Sequence, residues 1–220
     1  MKILIFGATG RTGRPLVAQA AARGWTVHAA GRDAGRLLDL VGAADSSVVD
    51  LGDPAAVAAV VKLAAPDVIV SSVGGTLPDG RLVDEAGNDA ISDAAARCGV
   101  RRVIQISSLA CGDSRPFASE RIIAAIGPVL DAKTRAEDHL RALDLDWTII
   151  RPGGLTEGEP TGSGALYADP RVHGRITRAD LADLVLRVVA TPATIRLILS
   201  AVDRTTLPAE PADIREFADA

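Results

Sequence analysis

The segment Lys2 to Gly13 reads K-I-L-I-F-G-A-T-G-R-T-G. Ile3, Leu4, Ile5 and Phe6 form an unbroken apolar run, the pattern of a strand buried on both faces of a parallel sheet. Gly7, Gly10 and Gly13 follow in G-x-x-G-x-x-G spacing, and Leu16, Val17 and Ala20 continue with the periodicity of one helix face. Strand, glycine turn and helix stand in the order that dinucleotide binding requires. Gly7 lets the chain turn sharply, Gly10 lets the backbone approach a pyrophosphate, and Gly13 lets the helix lie close to the sheet. The helix N-terminus then offers unpaired N–H groups and a partial positive charge to phosphate. Pro15 falls in the first helical turn, where its missing N–H has no intrahelical partner to lose.

The remaining chain repeats the strand–helix order. Trp25–Ala30 reads as a second strand ending in Gly31-Arg32-Asp33, with Arg36 beyond. The end of this strand is where an adenosine ribose is met. Arg32, whose planar guanidinium suits a phosphate, favours NADP, with NAD as the alternative. Arg36 adds a second cation one turn later; Asp33 either caps the next helix or reaches the ribose. Ser46–Val49 is a third strand. Asp50 beyond it is either an adenine contact or a turn aspartate, and Asp53-Pro54 opens a helix through Val57, Val60 and Val61. Asp67–Val70 is a fourth strand running into Ser71-Ser72-Val73-Gly74-Gly75. The segment from Arg81 to Arg97 reads as a helix with Leu82, Ala86, Ala90 and Ala94 inward, stopped by Gly99.

Val103–Ile106 gives a fifth strand, followed by Ser107-Ser108 and an irregular stretch holding Pro116 and Pro128. Leu130–Leu143 reads as a long helix, Trp147–Ile150 as a sixth strand, and residues 155–175 as a substrate-side loop or lid. A helix opened by Thr177 places Leu181, Leu184, Val185 and Val188 on one face, with Asp180, Asp183 and Arg187 opposite. Ile195–Leu199 is a last strand and Ala209–Ala220 a short helix or tail. The pattern predicts a single α/β domain over residues 1–220: a Rossmann-like, doubly wound, mainly parallel sheet with helices on both faces, binding its ligand at the strand C-termini.

Composition narrows the function. The 220 residues carry a net charge of −4 and only 3% aromatics, against nucleic-acid binding by basic surface or base stacking. No apolar run reaches membrane-spanning length and no signal peptide precedes the first strand, so a cytoplasmic location is expected. Two cysteines and three scattered histidines match no metal-ligand spacing, and no metal is expected. Cys111 is a candidate for the pocket lining but nothing nearby marks it as an activated thiolate, while His28 reads as a sheet residue and His139 as a solvent-facing helix residue.

With these positions in place, the chain resembles the atypical short-chain dehydrogenase/reductase proteins of the NAD(P)-binding, NmrA-like type, a group that includes biliverdin-IXβ reductase/flavin reductase. The residues that carry the resemblance are G-A-T-G-R-T-G at Gly7–Gly13, G-R-D at Gly31–Asp33, Ser107-Ser108, D-W-T-I-I-R-P-G at Asp146–Gly153 and I-T-R-A-D-L-A-D at Ile176–Asp183. The resemblance implies that Thr9, Gly10, Arg11 and Thr12 touch the pyrophosphate, Arg32 the 2′-phosphate, and Asp50 and Leu51 the adenine. It places Gly74 and Gly75 at the ribose, Pro152 and Gly153 near the nicotinamide carboxamide, and Ser107 and Ser108 beside the ring. The wider superfamily carries Tyr-x-x-x-Lys, with the tyrosine as proton donor. Here Lys133 matches the lysine, but Val129 stands where the phenol would be.

Candidate catalytic residues are therefore Ser108, Ser107, Lys133 and Tyr167, with His173 as a further group able to enter the pocket from above. Each has a plainer reading: loop-satisfying serines, an i,i+4 pair of Lys133 with Glu137, and surface positions for Tyr167 and His173. The expected function is NADPH-dependent hydride transfer to a small planar conjugated molecule such as a flavin, quinone or bilin-like compound. The alternatives are an NADP(H)-binding redox-sensing regulator, or a non-redox isomerase or cyclase on the same fold. The sequence leaves the oligomeric state open.

Overall fold

The computed structural model describes residues 1–207 and 213–218. Among the described residues, ten strands and six α-helices follow one another as β1 (Lys2–Phe6), α1 (Gly13–Ala22), β2 (Thr26–Gly31), α2 (Ala34–Leu38), β3 (Asp45–Val48), α3 (Pro54–Ala64), β4 (Val68–Ser71), α4 (Val83–Cys98), β5 (Arg102–Ile106), α5 (Glu120–Ala142), β6 (Asp146–Pro152), β7 (Gly154–Thr156), β8 (Gly164–Tyr167), β9 (Arg175–Thr177), α6 (Arg178–Ala190) and β10 (Leu197–Asp203). Eight strands form one sheet in the order β3-β2-β1-β4-β5-β6-β10-β8. All its pairings are parallel except β8 with β10. This is the Rossmann-like α/β fold the sequence predicts.

The apolar strand residues face both ways. Ile3, Ile5, Val68, Val70 and Ile104 meet Leu16, Val17, Leu181 and Val185 of α1 and α6 on one side. Leu4, Phe6, Ile69 and Val103 meet Val57, Val61, Ile91 and Leu140 of α3, α4 and α5 on the other. Burial on both faces removes the apolar–polar alternation a half-exposed strand would show, which is why the β1 run is continuous. The strand order reverses between β2-β1 and β4, Ile3 lying opposite Val68 and Phe6 opposite Ser71. That reversal splays the flanking loops and opens a crevice at the strand C-termini.

The short-range signals hold. Asp53 caps α3 by accepting from the amides of Ala55 and Ala56 at 2.9 and 3.2 Å, with Pro54 leading the helix. Gly99 ends α4 at φ +75.

Several expectations change. Helix α5 begins at Glu120 rather than Leu130: Ser119 caps it, and Pro128, which cannot donate to the carbonyl four residues back, only bends it, with Ile126 leaving helical geometry at φ −136. Helix α4 begins at Val83 and turns Val83, Gly87 and Ile91 inward, leaving Leu82 and Ala86 half-buried. Residues 155–175 are not one loop, because β7 pairs with β9 and β8 joins the main sheet edge through β10. These pairings are non-local and the strands too short to show a period. Asp180, placed on a solvent face by periodicity, is buried at 4% exposure. It accepts from the amides of Thr161 and Gly162 and the hydroxyls of Thr161 and Thr177, so its partners repay its desolvation.

The last strand starts at Leu197, after a 3₁₀ turn at Pro192–Thr194. Of the helix or tail expected over 209–220, residues 209–212 and 219–220 lie outside the described residues. Residues 213–218 are not helical: Glu216 bridges Tyr167, and the Phe217 amide donates to Leu166.

Candidate dinucleotide and substrate cleft

β1 ends at Phe6, and the next two amides, Gly7 and Ala8, both donate to the Ala30 carbonyl of β2 at 3.1 and 3.2 Å. The turn is thus tied to the neighbouring strand. The three glycines play unequal roles in it. A Cβ on Gly7, at φ +75, would lie 2.3 Å from the Ser72 carbonyl oxygen, and one on Gly13 would lie 2.1 Å from that of Gly7. Both are demanded by the chain itself. A Cβ on Gly10 would meet only the Gly7 oxygen, at 3.1 Å, and Gly10 lines the crevice. Its bareness keeps room for something outside the chain. Thr12 gives α1 no side-chain cap, and no hydrogen bond among the described residues uses the amides of Arg11 and Thr12. These donors and the helix dipole suit an anion.

One lobe of the crevice, about 410 Å³, extends from Gly10 to Arg32 and Arg36, with Leu51 and Val73 as apolar walls. Asp33 takes the capping alternative: its carboxylate accepts from the Arg36 amide at 3.0 Å. No ion pair to Arg32 or Arg36 is found among the described residues. Asp50 takes the turn alternative, accepting from Gly52 at 2.8 Å, while Leu51 is the neighbour that lines the lobe. Arg11 stands on the exposed rim and pairs with Glu157 at 3.4 Å.

A second lobe, about 630 Å³, shares Ser72, Val73 and Gly74 with the first and continues over the ends of β5 and β6. Thr12, Ser107, Ser108, Lys133, Pro152, Gly153 and His173 line it together with Gly74, so eight of the expected positions converge here. Gly153 also owes its identity to packing, a Cβ there falling 2.4 Å from the Gly174 carbonyl oxygen. Lys133 Nζ lies 2.8 Å from Asp84 Oδ1 of α4, which rules out the alternative pair with Glu137. Asp84 Oδ2 in turn accepts from the Gly75 amide at 3.1 Å. Asn88, one turn along, accepts from Ser71 Oγ at 2.6 Å and donates to the Asp84 carbonyl at 2.8 Å. The first turn of α4 therefore holds both the 74–75 turn and the lysine.

Glu137 instead joins Arg151, with Nε–Oε1 at 3.1 Å and Nη2–Oε2 at 2.6 Å, and it also accepts from Ser107 Oγ. Ser107 is thereby committed to the wall, whereas Ser108 faces the lobe half-buried. Burial lowers the Arg151 pKa, but the bonds and charges of Glu137 and Asp113 outweigh it and the net shift is upward, keeping the guanidinium charged. Burial, with the Glu137 charge, raises the Cys111 thiol, which hydrogen-bonds the Leu130 carbonyl at 3.6 Å and does not line the lobe.

Tyr167 corrects the expectation of a pocket tyrosine. It lies in β8, 2% exposed, packed with Leu109, Val172 and Val202 behind the lobe's wall. Pairing of β8 with β10 draws it into the sheet. His28 is a buried sheet residue bonded to Ser47 at 2.8 Å, while His139 is half-buried against Asp93 at 2.8 Å rather than turned to solvent. Sequence reasoning missed Asp84 and Asn88 and the pairing of Glu137 with Arg151. The i,i+4 spacing of Asp84 and Asn88 among buried helix positions was a readable signal for the first two. The mouth of the lobe carries exposed apolar side chains, Ile122 and Ile126 of α5 and Leu155 of β7.

Residues 7–192 match the protein family described as NAD(P)H-binding. A solved structure titled as the anaerobilin reductase ChuY from Escherichia coli O157:H7 superposes with a TM-score of 0.86 at 34% identity, covering 95% of this chain and all of that one. A Bacillus subtilis protein named as an uncharacterized sugar epimerase, YhfK, is 31% identical over 191 residues, covering 84% of this chain and 86% of that protein. A Schizosaccharomyces pombe protein named UPF0659 protein C216.03 is 30% identical over 158 residues, and that match spans 62% of its length.

Proposed function

This chain belongs to the NAD(P)H-binding family, and from that premise we propose that it is an NADPH-dependent reductase delivering hydride to a small, planar, conjugated acceptor of the flavin, quinone or bilin-like kind. The observation that carries the reading is the two-lobed crevice, with bare amides at its waist, guanidinium groups at one end and an apolar-mouthed lobe at the other.

In this reading the amides at Arg11 and Thr12 hold the pyrophosphate, and Arg32, with Arg36 beside it, receives the 2′-phosphate that distinguishes NADP from NAD. Capping keeps the Asp33 carboxylate on the Arg36 amide. Gly74 and Gly75 border the nicotinamide ribose, and Lys133, steadied by Asp84, donates to it. Pro152 and Gly153 edge the carboxamide. Bound NADPH supplies the hydride; the protein's part is to align donor and acceptor and to keep water off the face where transfer occurs. Ser108 is the hydroxyl free to orient the acceptor. The sheet and its segment 155–175 act as one domain, Leu155 and His173 covering the substrate lobe.

A conjugated acceptor suits the absence of a phenol at Val129, since electrons entering such a system spread over several atoms and need no strong acid beside one carbonyl. The anaerobilin reductase likeness points the same way. The same absence supports a second reading, an NADP(H)-binding regulator without turnover. The deciding experiment follows NADPH oxidation against a panel of flavins, quinones and bilins, with Gly10→Asp as the binding-deficient control. Turnover lost in that variant supports the reductase; tight NADPH binding without turnover on any acceptor sinks it in favour of the regulator.

A further inference from the structure

We propose that His173 is the residue that gives the reduced acceptor its proton, the part left vacant by the missing phenol at Val129. The inference rests on the reductase reading of the same lobe. His173 lies just before β9 and lines the substrate lobe together with Ser108, Leu109, Ile126 and Lys133. Its ring stands 6.5 Å from that of Phe117, tilted by 57°, so the imidazole has an aromatic neighbour in the 3₁₀ turn that precedes α5. Its Nε2 is buried and has no hydrogen-bond partner among the described residues. A buried polar nitrogen left unpaired is costly, and a ligand in the lobe supplies the natural partner.

Ser108 offers a neutral hydroxyl that orients the acceptor, and the groups beside it are engaged elsewhere. Ser107 gives its proton to Glu137, and Lys133 is held by Asp84. The proton balance then closes as follows. Hydride from NADPH adds to a carbon of the conjugated acceptor, and an electron pair moves along the system to a terminal nitrogen or oxygen. The Nε2–H bond of the imidazolium breaks and that heteroatom takes the proton. NADPH leaves as NADP⁺, the acceptor gains two electrons and two hydrogens, and neutral His173 recovers its proton from solvent. Asp84 and Lys133 are the charged groups that share the lobe, and they compensate each other. Burial alone lowers the His173 pKa below its usual 6.5. The productive imidazolium is therefore depleted as pH rises.

The test has two arms. In the first, the His173 imidazole proton signal of the protein saturated with NADP⁺, identified by its loss in His173→Gln, is followed by NMR while flavin mononucleotide or biliverdin is added. A ligand-induced shift of that signal, with its titration moved upward, is expected; a silent His173 under saturating acceptor overturns the proposal. In the second, the pH profile of NADPH oxidation is compared. Wild type is expected to lose kcat/KM as pH rises through a value below 6.5. His173→Gln is expected to lack that limb and to turn over roughly 10²-fold or more slower, with unchanged NADPH affinity. A variant that keeps both the rate and the limb overturns the proposal and leaves the reductase standing. A His173 that responds to the acceptor while no NADPH is consumed overturns proton delivery and the reductase reading together, leaving only acceptor binding.

Discussion

Arg151 and Glu137 meet as a two-bonded ion pair inside the protein, their side chains 3% and 2% exposed, directly behind the serine loop that follows β5. Two ions removed from water gain net stability only when geometry and further bonds offset their desolvation, and here Ser107 and Asp113 add those bonds. Removing one partner strands the other. Glu137→Leu is expected to cost about 3–5 kcal/mol in urea unfolding, while Glu137→Leu with Arg151→Met recovers most of that loss. A double variant as unstable as the single one would refute the stranded-charge account.

The two outer glycines of the turn should separate from the middle one. Gly13→Ala forces a methyl to 2.1 Å from the Gly7 carbonyl oxygen and is expected to destabilise by at least about 1–3 kcal/mol. Gly10→Ala, whose nearest obstacle is 3.1 Å away, is expected to keep its melting temperature but lose roughly tenfold or more in NADPH affinity. Calorimetry on both variants checks this, and equal affinity in Gly10→Ala would contradict a pyrophosphate at that wall.

At the far lobe, Arg32→Ala removes a charged donor from the position assigned to the 2′-phosphate. Such a bond is worth about 1.5–3 kcal/mol, so the Kd for NADP should rise roughly tenfold to hundredfold while that for NAD stays nearly constant. Titration of both nucleotides reads the difference, and an unchanged ratio removes the NADP preference.

Acid should loosen the 161–163 turn. Asp203 and Asp180 both accept from Thr161 Oγ1. Burial pulls the Asp203 pKa upward, yet bonds from Ser163, Thr205 and Thr161 outweigh it and leave the value at about 2; Asp180 is lowered in the same way by Thr161, Thr177 and Gly162. A carboxylate whose folded pKa lies below its unfolded value, 3.8, gives stability that is present above 3.8 and lost as pH falls toward about 2. Asp203→Asn is expected to be less stable than wild type at neutral pH and to lose less on acidification through that window, measured by urea unfolding at several pH values.

Lys133→Met leaves Asp84, which is 4% exposed, buried with the Gly75 amide and no cation. It is expected to weaken NADPH binding and lower the melting temperature together, whereas Lys133→Met with Asp84→Asn restores the melting temperature and leaves binding weak. Recovery of binding in the double variant would argue against a ribose contact by Lys133.

What the chain declared on its own was local. A buried strand, a glycine spacing and an Asp-Pro cap each act within a few residues, and that was enough for the parallel sheet, the crevice at its strand C-termini and membership of the NAD(P)H-binding family. Folding alone decided matters resting on residues far apart in sequence. Glu137 turned from Lys133 to Arg151, Lys133 turned to Asp84, and Asp180 went inward to tie down Thr161. Tyr167 was drawn behind the wall by the pairing of β8 with β10. An ionic side chain has no preferred partner along the chain; its partner is whichever group packing brings within bonding distance once both have left water, and no periodicity encodes that.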